Sequence, residues 1–239
     1  MPHWKSVAIL GVGLMGGSLG LALRRRGLAD EIVGIGRSRE SLQAALACGA
    51  VTRIATDLAD GLRDAEIIVV CTPVALVAEQ VQAAAAVCSP NALATDVGST
   101  KRAICDRLSA PLPHGVRFVG GHPICGGEKA GVEAARADLY ENRVVVLTPT
   151  ATTLATDAAT LTEFWTSVGA KVVEMSPHEH DEALAHTSHA PHLVAAALAA
   201  ALPHDYARLT GTGFRDVTRV AAGGPELWRQ IFLDNRDAV

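Results

Sequence analysis

The stretch VAILGVGLMGGSLGLAL, residues 7–23, decides the fold of this chain. Residues 7–10 are four consecutive apolar side chains, as in a short buried strand, and a helical apolar run closes the stretch. Between them lie Gly11, Gly13 and Gly16 at GxGxxG spacing. We expect Gly11 to permit a tight turn, Gly13 to let a pyrophosphate approach the backbone, and Gly16 to let the helix pack on the strand.

The surroundings of this motif matter because a GxGxxG spacing on its own also occurs in structural loops. A second strand-like segment, residues 31–36, ends about twenty residues after Gly16, where this fingerprint places its contact to a ribose. The strand, the turn and the helix start therefore predict a dinucleotide-binding site. Leu14 and Met15 at the helix start are included in it.

The composition narrows the class of protein. A chain of 239 residues with 49% hydrophobic residues can bury a large core in one large or two small domains. The net charge of -4 offers no positive field, so we expect no nucleic-acid partner. Five cysteines without a CxxC pair indicate free thiols rather than disulfides or a zinc site. Without a secretory segment or a bilayer-length apolar run, we expect no membrane association and a cytoplasmic location.

Strand-like and helix-like segments alternate as far as residue 176. This alternation predicts an α/β fold of the Rossmann type, a doubly wound sheet over residues 1–176. Residues 177–239 predict an all-α helical domain, and Pro191 is expected to kink the helical run 179–202 because proline removes a backbone hydrogen bond. The later predicted strands cover residues 67–73, 92–99, 117–123, 143–149 and 170–176, and the predicted helices cover residues 75–87, 101–108 and 153–168.

The ends of the predicted strands carry the side chains best suited to catalysis, since ligands of an open parallel sheet bind there. Thr72 and Pro73, Ser99, and His122 each close a strand, so we expect them to surround a nicotinamide ring. His122 follows two glycines that leave space beside it, and the near-neutral pKa of histidine suits acceptance of a hydroxyl proton. Ser99 is predicted to share that hydrogen bond. A histidine that merely caps a strand end is the alternative.

Histidines and arginines of the helical part are candidates for substrate contact. This part is dense in histidines: His178, His180, His186, His189 and His192. The last three recur at every third position, but no cysteine or HExxH pattern joins them. We therefore expect no metal site, and contacts from one or two of them to a substrate. Arg215 and Arg219 lie four apart and share a face if the segment is helical, where one of them would hold a carboxylate bidentately. A solvated helix face is the alternative for both.

With these residues in place, the chain resembles the prephenate/arogenate dehydrogenase family of tyrosine biosynthesis. The resemblance runs from residue 7 to nearly the last residue, and its combination of GGHP, SHxPH and FRDxTR is specific. The motifs that carry it are, in order, GVGLMGGSLGLAL, CTP, TDVGSTK, GGHPICGGEKAGVEAA, DLYENRVVVLTP, HDEALAHTSHAPHLVAAAL and GFRDVTRVAAGGPELWRQIFLDN.

The resemblance implies an enzyme that oxidises a cyclohexadienyl carbinol, with hydride transfer to a nicotinamide and loss of the ring carboxylate as CO2. Prephenate would yield 4-hydroxyphenylpyruvate, and arogenate would yield tyrosine. By resemblance, His122 is the base for the ring hydroxyl and Ser99 assists it. The implied substrate contacts are Arg219, His189, His192, Lys101, Gly127 and Glu128, and Glu128 and Asp216 are further implied to gate entry together with Arg219.

One departure from the family's pattern concerns the cofactor. Many NAD-using members carry an acidic residue at the end of the second strand, whereas this chain has Gly36, followed by Arg37, Ser38 and Arg39. An aspartate would repel a ribose 2′-phosphate, but arginine and serine suit it. We therefore expect NADP to be the preferred cofactor, with NAD as the second choice.

A second departure concerns length. The chain ends at DNRDAV, whereas the family's helical domain usually continues, so we expect a short member or a truncated chain. Because family members dimerise through this domain, we expect a homodimer through residues 177–239. A β-hydroxyacid dehydrogenase or an imine reductase is an alternative, although those commonly use a lysine of the helical domain and the last lysine here is Lys171. A nucleotide-sensing module without turnover is another.

Overall fold

The computed structural model describes residues 2–127 and 129–239, which form two β-sheets and a set of C-terminal helices. Among these residues no helix is both long and apolar enough to cross a bilayer. The strands are β1 (Trp4–Leu10), β2 (Ala29–Ile35), β3 (Arg53–Ala55), β4 (Ile67–Val70), β5 (Leu93–Asp96), β6 (Arg117–Phe118), β7 (Gly120–Pro123), β8 (Val144–Thr148) and β9 (Lys171–Glu174). The α-helices are α1 (Leu14–Arg26), α2 (Arg39–Ala47), α3 (Leu58–Leu62), α4 (Val74–Ala85), α5 (Arg102–Arg107), α6 (Ala155–Ser167), α7 (Pro177–Leu184), α8 (Ala190–Ala200), α9 (Thr212–Thr218) and α10 (Pro225–Asp234).

The larger sheet has six strands in the order β3-β2-β1-β4-β5-β6. β1 pairs in parallel with β2 on one side and with β4 on the other. Its central residues Val7, Ala8 and Ile9 are fully buried, because they alternate between two hydrophobic clusters on opposite faces of the sheet. The doubly wound fold predicted from the sequence is confirmed. It leaves a crevice between the carboxyl ends of β1 and β4, where the strand order reverses.

A second sheet holds three strands in the order β7-β8-β9. The expectation of one strand over residues 117–123 is wrong, because β6 pairs with β5 while β7 pairs antiparallel with β8. Glycines permit this change of sheet: a Cβ at Gly120 would lie 2.4 Å from Oγ1 of Thr148, and one at Gly121 would lie 2.7 Å from the carbonyl oxygen of Asp96. The histidine of GGHP therefore lies on β7, beside the end of β5.

The helical part begins at α7, where Ser176 and Glu179 form a capping box. Pro191 lies in the first turn of α8, and the five residues Ala185–His189 before that helix form a π-helical segment. A kink was expected at Pro191, and the structure has this π-helical segment just before the proline, which has no N–H for the regular helical hydrogen bond. Segments of this kind are frequent at functional sites.

Candidate active site

A cavity of about 850 Å³ opens at the carboxyl ends of β1, β2 and β4. One wall is the glycine-rich turn, and residues 131–133 form part of another. Its size is within the range of small-molecule and cofactor pockets. The predicted cofactor contacts that line it are Gly11, Gly13, Arg37, Ser38, Thr72 and Pro73.

The three glycines of the motif differ in their surroundings. Gly11 has a φ of 91°, a left-handed conformation, and a Cβ there would lie 2.8 Å from Cγ2 of Thr72. A Cβ at Gly16 would lie 2.2 Å from the carbonyl oxygen of Gly11, so only glycine lets α1 pack this closely on the end of β1. A Cβ at Gly13 would meet no described atom within 4 Å. The turn and packing roles predicted for Gly11 and Gly16 are confirmed, and the backbone at Gly13 is accessible to a ligand.

The first turn of α1 offers backbone N–H groups to an anion. The helix begins at Leu14 with Gly13 as its N-cap, and neither a side-chain cap nor an acidic residue is present in its first turn. The carbonyl of Met15 accepts a hydrogen bond from the Tyr140 hydroxyl at 2.8 Å, which holds this turn in place. A Cβ at Gly127 would lie 3.4 Å from Cδ2 of Leu14, so the loop after β7 reaches the predicted cofactor loop.

Arg37 and Ser38 follow β2 at the border of the cavity. The Ser38 hydroxyl oxygen is the N-cap of α2 and accepts hydrogen bonds from the backbone N–H and the hydroxyl of Ser41, both at 3.2 Å. It keeps its own hydrogen for a further acceptor. The groups predicted to bind a ribose 2′-phosphate therefore border the cavity.

A chain of three side chains ends at His122. Nδ1 of His122 lies 2.8 Å from Nε2 of His180, and Nδ1 of His180 lies 2.7 Å from Oδ1 of Asp181. His122 comes from β7 and the other two come from the middle of α7, and all three side chains are buried. The rings of the two histidines meet edge to face, with centroids 5.0 Å apart.

Asp181 determines which nitrogens of this chain carry protons. Burial acts to raise the pKa of Asp181, but hydrogen bonds from His180 and from the backbone N–H groups of Arg102 and Lys101 outweigh it and lower the pKa. Asp181 is therefore a carboxylate and only accepts. His180 must donate from Nδ1 and accept at Nε2, so His122 must donate from Nδ1. Nε2 of His122 is left without a proton and makes no hydrogen bond to any described residue.

The surroundings of His122 keep its ring neutral. Burial is the main cause that lowers its pKa well below the ordinary value, and repulsion from His180 whenever that ring is protonated, and from the ammonium of Lys101, lowers it further. A neutral ring with an unprotonated Nε2 is an acceptor for a hydroxyl hydrogen at neutral pH.

Lys101 is enclosed with a counter-ion instead of facing a ligand. Its Nζ donates to Asp96, and both side chains are fully buried. Asp96 also accepts hydrogen bonds from the backbone N–H groups of Gly98 at 2.8 Å and Gly121 at 3.0 Å. The substrate contact expected of Lys101 is thus not available to its ammonium, which instead fixes the loop after β5 against β7. Ser99 is half-buried in that loop, and its hydroxyl makes no hydrogen bond to a described residue.

Two of the three regularly spaced histidines form an aromatic wall with α10. The His192 ring stacks on Trp228 with centroids 3.4 Å apart and planes 11° apart. His189 is buried and meets Trp228 edge to face at 6.2 Å. His186 lies within the same π-helical segment as His189, but its side chain is exposed. Among the described residues, no group of three or more His, Cys, Asp or Glu side chains is arranged to hold a metal ion.

The two arginines predicted as carboxylate-binding candidates lie on and after α9. Arg219 follows α9 and begins the short 3-10 helix Arg219–Ala222, with an exposed side chain, and Arg215 is exposed on α9. Glu128, named above as a substrate contact and gate, lies outside the described residues.

The sequence alone singled out neither Asp181 nor Trp228, and it indicated His180 only as one of several histidines. A histidine next to an aspartate in the first C-terminal helix was a usable signal. Nothing local, however, indicates that this pair reaches a histidine 58 residues earlier in the chain.

Residues 19–174 match the family model described as "Prephenate dehydrogenase, nucleotide-binding domain", and residues 176–239 match "Prephenate dehydrogenase, dimerization domain". The chain belongs to the prephenate dehydrogenase family. The matched ranges contain the dinucleotide fold from residue 19 onward, the His122 chain and the aromatic wall, and the match does not favour the β-hydroxyacid dehydrogenase, imine reductase or sensor alternatives.

Curated relatives agree with this family. A prephenate dehydrogenase from Bacillus subtilis is 37% identical over 242 residues, covering 98% of this chain and 65% of that protein. A cyclohexadienyl dehydrogenase from Zymomonas mobilis is 32% identical, covering 100% of this chain and 84% of that protein. The chain thus spans just under two thirds of the B. subtilis protein's length.

A solved structure of Aquifex aeolicus prephenate dehydrogenase with hydroxyphenyl propionate and NAD+ matches with a TM-score of 0.89 at 35% identity, covering 98% of this chain and 84% of that one. Synechocystis arogenate dehydrogenase matches with a TM-score of 0.82 at 34% identity, covering 98% of this chain and 85% of that one. Members that differ in the substrate they are named for therefore share this architecture.

Proposed function

We propose that this chain catalyses the oxidative decarboxylation of prephenate, arogenate or both. The observation that carries the proposal is the unprotonated Nε2 of His122, held by His180 and Asp181 in a fold that also forms a cofactor-sized cavity at the carboxyl ends of β1, β2 and β4. An alcohol oxidation needs a base for the hydroxyl hydrogen next to a hydride acceptor, and this arrangement supplies the base. The family membership supports the same reaction.

The residues around the cavity fit a nicotinamide dinucleotide. The accessible backbone of Gly13 and the first turn of α1 would hold the pyrophosphate, Arg37 and Ser38 would bind the ribose end, and Thr72 and Pro73 would lie along the path to the nicotinamide. When bound, the nicotinamide supplies the hydride acceptor.

His122 would act on the substrate's ring hydroxyl. Its Nε2 accepts the hydroxyl hydrogen as the carbinol carbon loses a hydride, and the His180–Asp181 pair stabilises the positive charge that develops on the ring of His122. When the ring carboxylate leaves as CO2, its bonding electrons complete the aromatic ring and the proton returns to the phenolic oxygen. The substrate thus loses one hydride and one CO2, with no net proton release. Ser99 on the neighbouring loop assists by hydrogen bonding to the same hydroxyl.

Substrate binding would fall to the C-terminal helices. Arg219 would hold a substrate carboxylate, and His189 and His192 would line the pocket from the interrupted helix. Gly127 lies next to the cofactor loop, where contact with both ligands is feasible. We further propose that Glu128 and Asp216 gate entry together with Arg219.

For the cofactor we propose a preference for NADP over NAD. Arg37 and Ser38 border the cavity, and the position at the end of β2 that would carry an acidic residue is Gly36. A cation and a hydroxyl stabilise a 2′-phosphate, and nothing acidic stands at that position to repel it. A ratio of kcat/KM for NADP over NAD below one would refute this preference.

We also propose a homodimer, two domains and a cytoplasmic location. Exposed apolar side chains on the last helices, among them Val194, Leu209 and Leu233, support an interface there, as does the match to a dimerization domain. The two family models meet between residues 174 and 176, which supports domains of 1–176 and 177–239. Five unpaired cysteines suit a reducing compartment.

The test is a steady-state assay of reduced nicotinamide formation with prephenate and with arogenate, each offered NADP and NAD. Turnover of one substrate alone would identify a specific dehydrogenase, and turnover of both would identify a broad cyclohexadienyl dehydrogenase. A folded protein that binds nucleotide but turns over neither substrate would refute the proposed function.

A further inference from the structure

Asn235 makes two buried contacts that bear on a second histidine of the site. It follows α10, and its side-chain Nδ2 lies 2.8 Å from the backbone carbonyl oxygen of Asp181 and 3.0 Å from Nδ1 of His189. Asn235 and His189 are both buried, so neither contact is open to exchange with bulk water.

These contacts determine the tautomer of His189. A carbonyl oxygen only accepts, so the Asn235 atom that faces Asp181 must be the amide nitrogen and not the amide oxygen. The same nitrogen faces Nδ1 of His189 and has a second hydrogen to give. Nδ1 must therefore be the acceptor, and the ring proton must lie on Nε2. Burial lowers the pKa of His189 to about 4, which agrees with a neutral ring.

His122 and His189 thus carry their protons in opposite ways. His122 has a bare Nε2, because the carboxylate of Asp181 acts on it through His180. His189 has a protonated Nε2, because the backbone carbonyl of Asp181 orients Asn235. Nε2 of His189 makes no hydrogen bond to a described residue, so its N–H is left to donate to a ligand.

We propose that Asn235 is a positioning residue that holds His189 as a neutral hydrogen-bond donor for an anionic oxygen of the substrate. The inference rests on the proposed function, since it assigns the donor a carboxylate of the cyclohexadienyl substrate. A carboxylate accepts and never donates, so it binds the Nε2–H form of His189 and is repelled by a bare Nε2.

The decisive variant is Asn235→Asp, which keeps the shape of the side chain. Ionised or protonated, its oxygen cannot donate to both Asp181 and His189, so Nδ1 of His189 becomes the donor and Nε2 loses its hydrogen. Loss of a hydrogen bond to a charged group should raise the substrate KM by about tenfold to a hundredfold at neutral pH. We expect kcat to change less than threefold, because the His122 chain is intact.

The pH profile separates this role from a merely structural one. The titratable groups near the ring of His189 are Asp181 and His180 on α7 and His122 on β7, and a carboxylate at position 235 would raise the pKa of His189 above its value in the unchanged protein. In Asn235→Asp, KM should fall back toward the unchanged protein's value at acidic pH, where a doubly protonated His189 again donates from Nε2. A damaged fold would not recover in this way. Asn142→Asp, the same change at an exposed position, should alter neither KM nor its pH dependence.

Nitrogen-15 NMR of the histidine rings tests the tautomer without any substrate. In the unchanged protein the His189 signals, assigned by their loss in His189→Gln, should show a protonated Nε2, and in Asn235→Asp a protonated Nδ1. A protonated Nδ1 in the unchanged protein would overturn the inference, even if the variant fails to fold. The predicted spectra with an unaltered KM in Asn235→Asp would overturn the donor role. Absence of turnover by the unchanged protein would instead refute the proposed function, while the spectra still decide what Asn235 does.

Discussion

Replacing Asp181 with asparagine should abolish the function of His122 as a base, although the side chain of His122 itself is unchanged. Oδ1 of Asp181 accepts from Nδ1 of His180 at 2.7 Å and from the backbone N–H of Lys101 at 2.8 Å, and Oδ2 accepts from the backbone N–H of Arg102 at 3.0 Å. A carboxylate satisfies all three donors, but an amide has only one oxygen. Asparagine must therefore turn its NH2 group toward one set of donors.

Both orientations of the asparagine carry a penalty. With its oxygen toward His180, the NH2 group opposes the N–H of Arg102, and an unsatisfied buried donor costs about 1–3 kcal/mol. With its NH2 group toward His180, that histidine must accept at Nδ1 and donate from Nε2. His122 then accepts at Nδ1 and carries its proton on Nε2, where it no longer serves as a base. In either case no negative charge remains to stabilise the imidazolium, so we expect kcat to fall by about 10²- to 10⁴-fold.

The assay is kcat at saturating substrate and cofactor across a range of pH, together with urea unfolding and cofactor affinity by calorimetry. Glu182→Gln is the matched control, because it makes the same change at the next, exposed position of α7 and should leave kcat unchanged. Unchanged cofactor affinity would show that the variant is folded. A folded Asp181→Asn protein that keeps kcat within threefold would refute the role of Asp181 in setting the proton positions of His180 and His122.

Three further predictions follow from the site. His122→Asn should lower kcat by about 10²- to 10⁴-fold with little effect on cofactor affinity, and a loss under threefold would exclude it as the base. Gly16→Ala should lower the free energy of unfolding by about 1–3 kcal/mol, because its Cβ would lie 2.2 Å from the Gly11 carbonyl oxygen. Gly13→Ala should weaken nucleotide binding without lowering the free energy of unfolding, because a Cβ there would meet no described atom within 4 Å. Equal urea midpoints for Gly13→Ala and Gly16→Ala would contradict this difference between the two positions. Stability should fall as pH drops from 6.5 toward about 4, because unfolded His189 takes up a proton there and the folded ring does not. The difference between these two pKa values corresponds to about 3 kcal/mol of stability lost over this pH range. The free energy of unfolding of His189→Gln, measured across the same range, should lack this pH-dependent loss.

The sequence by itself determined the backbone plan of this protein. The Rossmann-type fold was predictable because buried strands, glycine turns and helix starts are local patterns. The GxGxxG motif marks two positions, Gly11 and Gly16, where a Cβ would clash with neighbouring atoms. An irregular helix near Pro191 was predictable for the same reason, because the missing N–H of a proline affects hydrogen bonds only within the neighbouring helical turn. His122 was also recognisable, because a strand end in such a fold is where a ligand binds.

Only the tertiary structure decided what these residues do to one another. The change of sheet at Gly120 depends on the approach of Thr148, and the enclosure of Lys101 depends on the direction in which Asp96 points. The proton positions on His122 and His189 depend on hydrogen-bond partners that lie far away in the sequence, on α7 and after α10. Sequence patterns encode the preferences of neighbouring residues, whereas a tautomer is set by whichever donor or acceptor the fold brings to each ring nitrogen.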